Sequence, residues 1–315
     1  MIWGRSLSFL VYGRYNQTEL DRQYSPSSCV DDLSAFLTSY TTRSARTRTE
    51  LPVKADIPYG SLPCESLDFF PARGPQAPLL VFVHGGYWRE LGKEDSSFPA
   101  RRLVPAGAAF AAIGYGLAPR YRLDEIVDQV RRAVWWLVEH ARDLGVDSER
   151  IVLAGSSAGA HLALMALLDG WMPEGTRPAD VIAGAVLLSG VYDLEPVRLT
   201  YVNEPLGLDA EAAARLSPIR RLPDRLPPLV VARGGAETAE FARQHRELVE
   251  AATPRSAAVH DLVITHRNHF DITFDLDDPA SDLGAAVLRQ LGLPRRASSR
   301  TAGDSVRSHR DIGRT

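Results

Sequence analysis

Chemistry in this chain is easiest to see at Ser157. The apolar run Ile151-Val152-Leu153-Ala154 leads into Gly155-Ser156-Ser157-Ala158-Gly159, and Leu162–Leu168 continues as a good helix former. A strand that passes through Gly-x-Ser-x-Gly into a helix makes a sharp, strained turn. The two glycines let strand and helix approach closely while the middle serine stands above the sheet edge. Ser157 is therefore the expected nucleophile, and Ser156 occupies the variable slot. The backbone N–H of Ala158, at the helix start, would face the negative charge that develops on an attacked carbonyl.

A second signal lies upstream. The buried-type strand Leu79-Leu80-Val81-Phe82-Val83 ends in His84-Gly85-Gly86-Tyr87-Trp88. Consecutive glycines allow backbone N–H groups to turn toward an anion, which is what the other half of an oxyanion hole requires. Gly86 and Tyr87 are the expected donors beside Ala158. His84 precedes the nucleophile, so it reads as a structural hydrogen-bonding residue rather than the base.

In a fold of this kind the acid and then the histidine follow the serine along the chain. After Leu229-Val230-Val231-Ala232 comes Arg233-Gly234-Gly235-Ala236-Glu237. Glu237 sits just past a strand end, where a carboxylate can orient an imidazole. Its rivals are Glu240, expected to face solvent one helical turn on, and Asp224, which precedes the strand. Downstream, His245 falls in a helix, His260 before a strand and His309 near the C-terminus. That leaves His266 and His269, and the distance past the strand Leu262–Thr265 favours His269.

The elements that hold these residues follow a regular alternation. Apolar runs at Pro78–Val83, Ala108–Gly114, Ile151–Gly155, Ile182–Ser189, Leu229–Ala232 and His260–Thr265 read as strands. Between them, Leu123, Ile126, Val127, Val130, Val134, Leu137, Val138 and Ala141 keep one helix face. Further helices are expected over Val30–Tyr40, Thr238–Ala251 and Ala280–Gln290. Doubly buried strands alternating with helices predict an α/β fold with a mostly parallel central sheet and helices on both faces. Ligands bind such sheets at the C-terminal ends of the strands, where every candidate residue above falls. Residues 1–70 read as an irregular and helical extension packed on a core of residues 71–294. Residues 295–315, rich in Arg and Ser, read as a disordered tail.

Composition narrows the partners. The 315 residues carry 36 Lys and Arg against 39 Asp and Glu, and 45% are hydrophobic. A near-neutral balance gives no reason to expect nucleic acid or an anionic membrane. No apolar run approaches the ~20 residues of a membrane span. Cys29 and Cys64 lack metal-site or disulfide-framework spacing, so neither a structural zinc site nor a disulfide framework is expected, and the expectation is a reduced cytoplasm. Attack by an activated serine needs no metal and no organic cofactor, and none is expected. A small-molecule substrate is expected, and a homodimer is the base-rate assembly.

Taken together, the residues resemble a family. His84-Gly85-Gly86-Tyr87-Trp88, Gly155–His161, Gly234–Phe241 and Asn268-His269-Phe270-Asp271-Ile272 are similar to the arylformamidases (kynurenine formamidases) of the α/β-hydrolase superfamily. The resemblance extends to Leu20–Ser27, Ser189–Leu194 and Tyr201–Leu208, and spans about Leu20 to Leu293. It implies an α/β-hydrolase fold and hydrolysis of an N-formyl arylamine, typically N-formylkynurenine to kynurenine and formate in tryptophan degradation. It also implies the triad Ser157, Glu237 and His269, with Gly85, Gly86 and Tyr87 forming the oxyanion loop. Many relatives have Asp where this chain has Glu237. Tyr87, Trp88 and Phe270 border the triad in sequence and could stack on an aryl ring, with core packing the equal alternative for Trp88 and Phe270. A carboxylesterase for small acyl esters would share every catalytic part. A non-catalytic binding protein on the same fold would be marked by loss of the serine, acid or histidine, and none is lost.

Overall fold

The computed structural model describes residues 9–294, and the expected tail at 295–315 lies outside them. Eight strands form one sheet: β1 (Lys54–Pro58), β2 (Ser66–Phe70), β3 (Ala77–Val83), β4 (Ala109–Ile113), β5 (Val146–Ser156), β6 (Gly184–Leu188), β7 (Leu229–Gly234) and β8 (Val259–Ile264). Their order across the sheet is β1-β2-β4-β3-β5-β6-β7-β8. The pairs β1–β2 and β2–β4 are antiparallel, and every pairing from β4 to β8 is parallel.

The helices in chain order are α1 (Gln17–Gln23), α2 (Leu33–Glu50), α3 (Ala100–Ala106), α4 (Leu123–Glu139), α5 (Ala158–Ala166), α6 (Pro178–Val181), α7 (Glu195–Arg198), α8 (Ala210–Arg215), α9 (Ala239–Ala252) and α10 (Asp282–Gln290). All seven residues of β3 are buried, as a strand covered on both faces requires. Leu79, Val81 and Val83 point into an apolar cluster shared with α4, α5 and α9. Leu80 and Phe82 point the other way, into a cluster with α3 and α10. The six strands read from apolar runs are thus β3 to β8, in an α/β-hydrolase fold.

Two expectations about the N-terminal segment are corrected. Residues 54–70 are not irregular: β1 and β2 extend the sheet at its antiparallel edge. β1 is largely exposed and polar, and β2 buries Asp68 against Lys93 and Arg48, so neither carries an apolar run. The helix expected over Val30–Tyr40 runs on to Glu50 as α2. Its later turns dock through Ser44 and Thr47 rather than through apolar side chains. The Ser44 hydroxyl accepts the backbone N–H groups of Ser97 at 3.1 Å and Phe98 at 3.2 Å.

Candidate active site

Ser157 stands between β5 and α5 with φ 56° and ψ −118°, a backbone conformation that costs energy for a residue with a Cβ. Its N–H donates to Leu188 O at 2.8 Å, tying the turn to the end of β6. A Cβ on Gly155 would overlap the Gly159 carbonyl, and one on Gly159 would overlap the carbonyls of Val83 and His84. Both glycines are therefore close-approach positions, one for strand on helix and one for helix on the loop after β3. Every residue of α5 is buried. Ala158 opens that helix, so its N–H has no intrahelical acceptor and points out with the positive end of the helix dipole.

The loop after β3 is bent just as sharply. Gly86 has φ 98°, Tyr87 φ 48° and Trp88 φ 59°. The N–H groups of Arg89 and Glu90 both donate to Gly86 O at 3.0 Å, which closes a tight turn. Beneath it, His84 stacks on Tyr115 with ring centroids 4.1 Å apart, and its Nδ1 lies 2.8 Å from Gly85 O. Burial pulls the His84 pKa down to about 4, so the ring is neutral near pH 7. It acts as a brace for the loop.

Glu237 and His269 are brought together from the ends of β7 and β8. His269 Nδ1 lies 3.0 Å from Glu237 Oε2. The other carboxylate oxygen, Oε1, accepts the Gly234 N–H and the Ser189 hydroxyl, each at 2.6 Å. Three donors thus fix the carboxylate, and the carboxylate in turn selects the tautomer with Nδ1 protonated and Nε2 free. The segment carrying His269 is cross-braced. Asn268 N–H donates to Asp271 Oδ1 at 2.7 Å, and Asn268 Oδ1 accepts from Phe270 N–H at 2.8 Å. Arg267 forks onto Asp275, and the Tyr40 hydroxyl donates to Phe270 O at 2.5 Å.

Ser157 and His269 line one cavity of about 190 Å³, together with Gly85, Gly86, Tyr87 and Phe270. Trp88 does not. It is fully buried, edge-on to His161 at 5.1 Å, and its expected contact with substrate is corrected to a place in the core. Glu240 is also not solvent-facing: it is buried, accepting the Tyr24 hydroxyl at 3.0 Å and pairing with Arg243. Asp224 and His266 are exposed and outside the cavity. Sequence reasoning missed several participants. Ser189 was visible only as part of a family-like segment. Ser27, Leu33, Leu37 and Tyr40 reach the cavity from the N-terminal region, and Tyr201 reaches it from beyond β6.

Comparison with known proteins gives this geometry a lineage. Residues 67–174 match the BD-FAE family model. The kynurenine formamidase of Danio rerio is 34% identical over 290 residues, covering 88% of this chain and 97% of that protein. The chain belongs to the kynurenine formamidase family. It is accordingly a hydrolase of the α/β-hydrolase superfamily. Esterase LipQ of Mycobacterium tuberculosis is 32% identical over 65% of this chain and 53% of its own length. Among solved structures, a candidate thioesterase from Silicibacter sp. TM1040 is 31% identical with a TM-score of 0.76, covering 85% of this chain and 98% of that one. No described helix of this kynurenine formamidase family member is long and apolar enough to cross a membrane. Among the described residues no cluster of His, Cys, Asp and Glu is arranged to hold a metal ion.

Proposed function

We propose that the chain hydrolyses an N-formyl arylamine, N-formylkynurenine to kynurenine and formate, through Ser157, Glu237 and His269. The observation that carries this reading is the Glu237–His269 hydrogen bond, made in a cavity that also presents Ser157 on its strained turn. His269 takes the Ser157 proton through Nε2 as the hydroxyl oxygen attacks the formyl carbon. The N–H groups of Ala158 and of the Gly85-Gly86-Tyr87 loop hold the oxyanion. His269 then gives its proton to the departing aniline nitrogen, leaving a formyl ester on Ser157. Water, deprotonated by the same imidazole, releases formate. The steps are proton transfers and transfer of the formyl group to Ser157 and then to water, so the route calls for no redox or electrophilic cofactor.

A formyl carbon carries only hydrogen, so the acyl side needs almost no pocket and selectivity belongs to the leaving-group side. Tyr87 and Phe270 border the cavity there; Phe270 is stacked on Phe36 with centroids 5.7 Å apart. A carboxylesterase activity is the second reading, favoured by the likeness to LipQ. Both cysteines are free, which fits a cytoplasmic setting.

Steady-state turnover of N-formylkynurenine beside p-nitrophenyl acetate separates the two readings. The formamidase reading expects a kcat/KM for the formyl amide far above the ester's, with kcat lowered roughly 10⁴–10⁶-fold in Ser157→Ala. Ester turnover with negligible deformylation would select the esterase. Full activity in Ser157→Ala would refute the site itself.

A further inference from the structure

The cavity holds a guanidinium that the proposed reaction does not use. Among the described residues that line it, Arg89 carries the one guanidinium or ammonium group, and the carboxylates of Glu90 and Asp95 line the same cavity. Arg89 follows directly on the His84–Trp88 loop, and its N–H bond to Gly86 O roots it in the same turn. Its Nε is buried yet has no hydrogen-bond partner. The nearest carboxylate, Glu90, lies 3.3 Å away but out of line for a hydrogen bond, and its side chain is 59% exposed. Asp95 is committed to Thr41, whose hydroxyl donates to it at 2.7 Å.

A buried guanidinium N–H without an acceptor is a site waiting for one. The planar fork of Arg suits a carboxylate, which can accept two parallel hydrogen bonds from it. A simple monoanion would also face Glu90 and Asp95 and be repelled. An α-amino acid brings an ammonium group to those carboxylates while its own carboxylate meets Arg89. Leu33, Leu37, Phe98 and Phe270 also line the cavity, and their apolar side chains suit an aryl body.

We propose that Arg89 binds the carboxylate of an α-amino-acid side arm on the leaving arylamine, making the enzyme selective for zwitterionic formyl arylamines over neutral or purely cationic ones. The proposal names the substrate class of the site described under Proposed function and rests on that reading. It assigns Arg89 to binding, with no part in proton transfer.

The test compares kynurenine with kynuramine, the same molecule without its carboxylate, by calorimetric titration of the wild type, Arg89→Gln and Arg89→Lys. The expected result is at least tenfold tighter binding of kynurenine by the wild type, no preference in Arg89→Gln and a reduced one in Arg89→Lys. In turnover, the kcat/KM ratio of N-formylkynurenine to its decarboxylated analogue should fall at least tenfold in Arg89→Gln, chiefly through KM. Equal binding of the two ligands by the wild type overturns the proposal, as does a preference that survives in a folded Arg89→Gln, with folding checked by near-ultraviolet circular dichroism. If the wild type deformylates neither substrate, the formamidase reading fails separately, and the titration still decides the role of Arg89.

Discussion

Two sides of the cavity are built on different principles. Ser157, Glu237 and His269 each sit within a few residues of the end of a buried parallel strand, and each is held by a short turn with its own hydrogen bonds. The wall that carries Ser27, Leu33, Leu37 and Tyr40 comes from a segment more than a hundred residues earlier, docked by scattered polar contacts such as Ser44 to Ser97 and Tyr40 to Phe270. The first arrangement suits groups that must be placed to a fraction of an ångström for proton transfer. The second suits a surface that needs only shape and apolar character. Changes on the reaction side should therefore depress kcat for every substrate, while changes on the N-terminal wall should alter KM and selectivity.

The sharpest way to break that contrast is at the carboxylate. Glu237→Gln keeps the shape but removes the charge that stabilises the imidazolium and sets the tautomer, and should lower kcat by about 10²–10⁴-fold on amide and ester alike. An effect confined to KM would show that Glu237 belongs with the substrate wall.

Acid should strain the reaction side more than the wall. His84 and His161 are buried beneath the loop after β3 and in α5, and burial lowers the pKa of each to about 4 from 6.5. Their neutral forms are folded-state requirements, so their contribution is complete above pH 6.5 and is lost as pH falls toward 4. Each should cost about 2 kcal/mol of unfolding free energy between pH 7 and pH 5. Urea denaturation at the two pH values measures the loss, and His161→Gln should make it smaller. A pH-independent midpoint over that range would contradict the buried, neutral assignment.

On the wall, Leu37→Ala removes apolar surface from the cavity lining and should raise KM by roughly 5–20-fold, corresponding to about 1–2 kcal/mol, with kcat within a factor of a few. The smallest effect is expected at Tyr40→Phe. It deletes the hydroxyl bond to Phe270 O, which keeps a second donor in Thr273 Oγ1 at 2.8 Å. A stability loss of about 1 kcal/mol with a modest rise in KM is expected from a thermal melt and steady-state kinetics. A collapse of kcat in either variant would mean that the N-terminal wall also positions His269.

The comparison also explains what could be read in advance. Strands β3 to β8 were legible because a strand buried on both faces needs an unbroken apolar run, and such runs stand out in the chain. The turn around Ser157 was legible because only glycine fits where β5, α5 and the loop after β3 come into contact. Strands β1 and β2 were not, since an edge strand can stay polar and β2 buries Asp68 in an ion cluster. The continuation of α2 past Tyr40 was hidden for a related reason: Ser44 and Thr47 bury small polar side chains, which leave no hydrophobic period.

By itself, then, the order of residues determined the parallel core, the turn bearing Ser157 and the pairing of an acid after β7 with a histidine after β8. These depend on local backbone geometry and on burial, which residue type and spacing encode directly. Only the tertiary structure decided that Trp88 packs in the core while Tyr87 beside it reaches the cavity, that Ser189 braces Glu237, and that Arg89 lines that cavity with a buried N–H that no hydrogen-bond acceptor meets. Those outcomes depend on which distant segments meet, and in which direction a sharply bent loop turns each side chain. Neighbouring residues in one motif can face opposite ways, and no spacing rule records it.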